Sequence, residues 1–188
     1  MKKISVRAGL GIANQTWRPY GSELLKIKGE PIISPYFSFS HNSDLTGKFL
    51  FRSGITFKMK GTRDLKTRGA ITSYARPVMA AHGTLLFYPH KHSAGGPFLS
   101  GGLGVDYGFR EKPKVREAFP YAVEIYFDNT DYRRMSAFAS FGAGFGFGRG
   151  INFEFEYNYY LSKSLKVRQL HINDTFFSIF LLVQGLTE

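Results

Sequence analysis

From Ile151 to Leu161 the chain changes character at almost every step. Ile151, Phe153, Phe155, Tyr157, Tyr159 and Leu161 fall on one side, and Asn152, Glu154, Glu156 and Asn158 on the other. Successive side chains of a β-strand point to opposite faces, whereas a half-buried helix spaces its apolar residues three and four apart. The segment therefore reads as a strand with one apolar and one polar face. The scheme recurs along the chain about eight times. Ile4, Val6, Ala8, Leu10 and Ile12 oppose Ser5, Arg7, Gly9, Gly11 and Ala13. Phe49, Phe51, Ile55, Phe57 and Met59 oppose Lys48, Arg52, Gly54, Thr56, Lys58 and Lys60. Met135, Ala137, Ala139, Phe141, Ala143, Phe145 and Phe147 oppose Ser136, Ser140, Gly142, Gly144 and Gly146. Four less regular candidates complete the set: 33–40, 70–88, 98–110 and 175–184, with Pro35 and Pro77 inside two of them.

This pattern excludes helical alternatives. No stretch approaches the roughly 18 uninterrupted apolar residues of a membrane-crossing helix, and 21 glycines in 188 residues would weaken helices throughout. Cysteine is absent, so neither disulfides nor thiolate-bound zinc can brace the fold. Met1-Lys2-Lys3 imitates the start of a signal peptide, but Arg7 interrupts the segment after it, and no apolar run of the required length appears there. The chain is expected to be the mature form, its export signal removed, and to make one domain over residues 1–188.

The glycines decide which face looks inward. Gly9, Gly11, Gly54, Gly102, Gly104, Gly108, Gly142, Gly144 and Gly146 share the polar face. A solvated strand gains nothing from glycine, whereas the lumen of a small barrel has little room for side chains. The phenylalanine-rich face is too bulky to fit inside and suits lipid. Trp17, Tyr88, Tyr159 and Tyr160 stand near strand ends, where interfacial aromatic girdles are expected. The connections alternate in length: His41–Gly47, Pro89–Pro97 and Gly148–Gly150 are short, while Arg18–Pro31, Gly61–Gly69, Glu111–Tyr132 and Ser162–Asp174 are mostly longer. The expectation is an all-β, eight-stranded antiparallel up-and-down transmembrane β-barrel of a bacterial outer membrane, with short periplasmic turns and longer extracellular loops. A soluble ligand-binding barrel is the alternative.

Tyr74-Ala75-Arg76-Pro77, Gly101-Gly102-Leu103-Gly104, the run Gly142 to Phe147 and Tyr157-Asn158 carry a resemblance. On these residues the chain resembles the PorT-like outer-membrane β-barrel proteins of Bacteroidota and, more distantly, the membrane domain of OmpA-type proteins. The resemblance implies a part in a secretion, gliding or other envelope complex, with protein partners and no catalytic signature.

Two groups of charged residues are candidate sites. Arg7, Lys48, Arg52, Arg76, His82, Asp106, Arg110, Glu154 and Glu156 are assigned to the lumen, as a paired network that fills it or as a conduction path. Glu154 and Glu156 share a face, where arginines from neighbouring strands are expected to bridge them. The net charge is +11, and 16 of the 25 Lys and Arg lie toward the long-loop rim. They are Arg18, Lys26, Lys28, Lys60, Arg63, Lys66, Arg68, Arg110, Lys112, Lys114, Arg116, Arg133, Arg134, Lys163, Lys166 and Arg168. Such a rim suits outer-membrane lipid, lipopolysaccharide phosphates or an acidic envelope protein, and the alternative is a merely solvated surface. Nucleic acid is not expected, because the aromatics do not interleave with the basic loops.

His41-Asn42-Ser43 has the spacing of a lipid A deacylase of the PagL type, but falls on an expected periplasmic turn, away from the outer leaflet. His90-Lys91-His92 is read as plain surface. No enzyme activity, cofactor or metal is expected. A small pore and a lipid A hydrolase remain the rival functions.

Overall fold

A computed structural model describes residues 2–19, 27–67, 70–91, 95–109, 114–118, 134–147, 151–162 and 170–184. They form β1 (Lys2–Pro19), β2 (Ile27–Lys28), β3 (Ile32–Thr46), β4 (Phe49–Thr67), β5 (Ala70–Phe87), β6 (Gly96–Gly108), β7 (Lys114–Ala118), β8 (Met135–Gly146), β9 (Ile151–Tyr160) and β10 (Leu170–Gln184). Eight long strands, β1, β3, β4, β5, β6, β8, β9 and β10, pair antiparallel in chain order, and β10 returns to pair with β1. The sheet is a closed eight-stranded barrel, so no long strand is left with an open edge. β2 and β7 are short additions at the long-loop rim, paired with β1 and β5.

Two expected connections are strand instead. β3 continues through His41 to Thr46, and only Gly47 and Lys48 turn the chain into β4. Lys48, expected in the lumen, is therefore an exposed turn residue. At the opposite rim β4 and β5 stay paired as far as Thr67 and Ala70, so most of the expected Gly61–Gly69 loop is a protruding hairpin. Its ladder slips between Thr62 and Leu65, just after Gly61, whose φ of 144° suits glycine. Within the expected Glu111–Tyr132 connection only 114–118 are described, and the Gly148–Gly150 turn lies outside the described residues.

Pro35 sits within β3 opposite Leu10 of β1. Proline offers no ladder donor, and the β3–β4 register begins only at Tyr36 and Lys58. The Met59 N–H donates instead to Ser34 Oγ at 2.7 Å, so a hydroxyl replaces the interrupted ladder.

Phe51, Phe141 and Phe155 point outward and are 40%, 60% and 40% exposed. Ile4, Leu10, Phe37, Leu103, Phe145 and Ile179 join them around the wall. Arg7, Arg52, Thr56, Asp106, Glu154, Asn158 and Ser178 are buried on the inner face. The distribution inverts that of a soluble barrel.

The interior is nonetheless not wholly polar. Tyr36, Phe98, Phe138, Phe176 and Phe180 are buried inside, as are Tyr88 and Tyr160. Tyr88 and Tyr160 are thus not girdle residues, whereas Tyr159 faces outward; the Trp17 side chain lies outside the described set. These rings explain the glycine face more sharply than narrowness alone. A Cβ at Gly11 would overlap the Phe176 ring, one at Gly104 the Phe138 ring and one at Gly144 the Phe98 ring. Each glycine leaves room for an aromatic ring from another strand.

Candidate functional sites in the lumen and on the rim

The interior is stacked in layers. At the short-turn end Leu50, Leu86, Tyr88 and Phe98 form an apolar floor, with the Tyr88 and Phe98 rings 5.0 Å apart. Above it Arg52 donates from Nη1 to Glu154 Oε2 at 2.7 Å and from Nε to Asn42 Oδ1 at 3.3 Å. Arg7 donates to Glu156 Oε2 at 3.3 Å, to Ser38 Oγ at 3.1 Å and to His82 Nε2 at 2.7 Å. A guanidinium cannot accept, so Nε2 is the unprotonated nitrogen of His82 and the ring proton sits on Nδ1, facing Thr56 Oγ1 at 3.4 Å. The Arg7 guanidinium also lies 4.9 Å from the Phe180 ring centre and 5.6 Å from that of Tyr36.

Toward the long-loop rim two lysines, Lys58 and Lys60, join Arg76. Lys58 Nζ lies 4.5 Å from the Phe176 ring centre, 4.7 Å from Phe138 and 5.7 Å from Tyr160. Among the described residues it has no carboxylate within ion-pair distance. Lys60 Nζ stands 2.7 Å from Asp174 Oδ2 and 3.6 Å from Asp106 Oδ2, above the Tyr160 ring. Gln15 donates to the other Asp174 oxygen at 2.7 Å, and Arg76 packs over Gly108.

Of the residues assigned to the lumen, Arg7, Arg52, Arg76, Asp106, Glu154 and Glu156 are buried there together, and His82 is partly buried beside Arg7. Arg110 lies outside the described residues. The bridges to Glu154 and Glu156 differ from expectation, because Arg52 stands on β4 and Arg7 on β1, neither adjacent to β9. The lumen is narrow enough for a guanidinium to reach past neighbouring strands. Lys60, counted with the rim, is an interior residue. Lys58 and Asp174 join the lumen network without having been expected in it. Strand alternation already puts Lys58 and Lys60 on the polar face, but Asp174 falls at the end of an expected connection and carries no comparable signal.

On the rim, Arg63 pairs with Glu30 at 3.2 Å and both are largely exposed. Exposed Arg134 donates to the Tyr107 hydroxyl at 3.3 Å. The backbones of Arg18, Lys28, Lys66, Lys114 and Arg116 lie in β1, β2, β4 and β7, their side chains being outside the described set. Lys26, Arg68, Lys112, Arg133, Lys163, Lys166 and Arg168 fall outside the described residues. His41 and Ser43 are half-buried on the outer face toward the short-turn rim, with Ser43 Oγ 3.4 Å from His41 Nδ1.

A closed sheet that satisfies its own backbone, presents apolar side chains outward and turns its charges inward is a barrel built for hydrocarbon. No protein-family model matches the chain, and no curated protein does. Among solved structures, the chain is similar to Neisserial surface protein A at 11% identity, covering 96% of each chain, with a TM-score of 0.48. It is similar to Ail, the attachment invasion locus protein of Yersinia pestis, at 12% identity, covering 98% of this chain and 100% of that one, with a TM-score of 0.42. OprG of Pseudomonas aeruginosa is 10% identical over 98% of this chain and 96% of that one, with a TM-score of 0.45.

Proposed function

We propose that this chain is a non-conducting, non-enzymatic integral barrel of the bacterial outer membrane, serving as a structural or accessory component of an envelope complex. The observation that carries the non-conducting reading is the filled lumen. Arg7, Arg52, Tyr36, Lys60, Phe98, Phe176, Phe180 and Leu86 are all under 2% exposed, which leaves no water-wide passage beside them. With the lumen occupied, partners have to be met at the rims or on the outer wall. The basic long-loop rim suits lipopolysaccharide phosphates or an acidic envelope protein. The resemblance to PorT-like barrels supports a secretion or gliding assembly.

Planar-bilayer recording is the first test. The reconstituted protein is expected to be electrically silent, and discrete conductance steps would give the function to the pore reading. Extraction in mild detergent is expected to retain companion proteins; a clean monomer would remove the assembly role. Lipid mass spectra are expected to be unchanged by expression, and loss of an acyl chain from lipid A would favour the hydrolase.

A further inference from the structure

The outer wall carries an open apolar groove of about 740 Å³ across β4, β5, β6 and β8, lined by Ile55, Ala81, Gly83, Leu103, Val105 and Ala137 among others. Small side chains at Ala81, Gly83 and Ala137 recess a wall that elsewhere bristles with Phe and Leu. Its rimward end is set by cross-strand register. Val105 pairs with Ala137, and one step nearer the long-loop rim on this face Tyr107 pairs with Met135. Tyr107 meets Phe109 edge-on at 5.7 Å, and the Tyr107 hydroxyl receives Arg134.

Arg134 is the group that selects an occupant. Its guanidinium is exposed at the top of this apolar face and has no acidic partner among the described residues, whereas Arg63, also exposed on this rim, is neutralised by Glu30. A guanidinium offers five donors in a fork suited to phosphate oxygens. We infer that the β5–β6–β8 face seats one phosphate-bearing acyl lipid of the leaflet at the long-loop rim, its phosphate on Arg134 and an acyl chain in the groove below. The inference rests on the membrane placement proposed above, and not on a closed lumen.

The test uses the full chain in nanodiscs of phosphatidylcholine doped with phosphatidylglycerol, with retained lipids counted by native mass spectrometry after release. The wild-type protein is expected to keep one phosphatidylglycerol with about tenfold preference over phosphatidylcholine, the scale of one charge-assisted contact. Arg134→Gln is expected to abolish the preference and Arg134→Lys to keep part of it. Arg63→Gln is expected to leave the preference intact, and Ala137→Phe, filling the groove, to reduce retention of both lipids. A preference that survives Arg134→Gln overturns the proposal, as does equal retention by Ala137→Phe. Release of the lipid by excess inorganic phosphate also overturns it, since that would mark a free-phosphate site without an acyl seat. Size-exclusion of the loaded discs reads membrane insertion separately, so failure to insert is distinguishable from failure to select lipid.

Discussion

In the half of the lumen nearer the short turns, Arg52 and Arg7 each reach a glutamate on β9 and take further partners from serine, asparagine or histidine. Toward the long loops Lys58 and Lys60 stand with the buried Arg76, and among the described residues Lys58 is met by ring faces and no carboxylate. The contrast follows from donor geometry. A planar guanidinium can satisfy several acceptors at once and still stack on Phe180, so it tolerates a crowded polar layer. An ammonium is a point charge, which either bridges two carboxylates, as Lys60 does, or rests against aromatic quadrupoles, as Lys58 does. Burial alone does not tell which charges the fold depends on, but partnership does.

The sharpest way to break this contrast is to strand a carboxylate. Arg52→Ala leaves the Glu154 carboxyl buried without its cation, and removing one partner of a buried pair costs about 3–5 kcal/mol. Urea unfolding in lipid vesicles is expected to show that loss, and Arg52→Met combined with Glu154→Leu to recover most of it. A double variant as unstable as the single one would show that the layer needs the polar groups for more than charge balance.

Adjacent lysines on one strand face give a comparison of nearly the same size. Lys60→Met leaves Asp106 and Asp174 without their shared cation, and a loss of several kcal/mol is expected, again on the scale of a broken buried pair. Lys58→Met removes a charge that has no carboxylate partner among the described residues and substitutes a side chain that packs well among rings, so stability is expected to change by less than about 1 kcal/mol. Equal losses at the two positions would mean that the cage around Lys58 is worth as much as an ion pair.

The next effect probes the aromatic floor beneath the arginine layer. Gly144→Val places methyl groups where the Phe98 ring lies, and overpacking of this kind costs about 1–3 kcal/mol. Adding Phe98→Leu is expected to return part of the loss, measured as a shift in urea midpoint at constant slope. Were the single substitution harmless, ring packing would not be the reason for glycine there.

How far this arrangement is legible in the sequence depends on which periodicity one reads. Period-two alternation and the glycine face locate the strands and the direction of burial, because both are local. Phe98, Phe138, Phe176 and Phe180 share strand parity with Ser100, Ser136, Ser140 and Ser178, so their inward direction is legible, but how a narrow lumen finds room for rings is not. What makes that room is a glycine on another strand, a relation between distant positions that spacing along one strand does not carry. The same holds for the charge partners. Arg52 and Glu154 are 102 residues apart and four strands from each other around the wall, so pairing across the lumen is a property of barrel diameter. Asp174 is hidden for a humbler reason: it stands early in β10, where the first residues of the strand look like the loop before them.

The smallest effect is expected where charge pairing is most visible from outside. Glu30 and Arg63 form an isolated bridge beside β2 and β4, with the Arg63 Nε 3.2 Å from the carboxylate. Their side chains are 57% and 61% exposed, so water and salt compete for both charges. Pairs of this kind contribute about 0.2–1 kcal/mol. Backbone hydrogen bonds join the same two residues in both directions at 2.7 and 2.9 Å, and Thr62 Oγ1 donates to the Glu30 carbonyl. Glu30→Gln therefore removes the charge and keeps the bridge. A urea midpoint close to wild type, with the residual difference vanishing in high salt, would place this pair at the opposite end of the scale from Arg52 and Glu154. A loss that persists in high salt would instead mean that Glu30 holds the rim through packing.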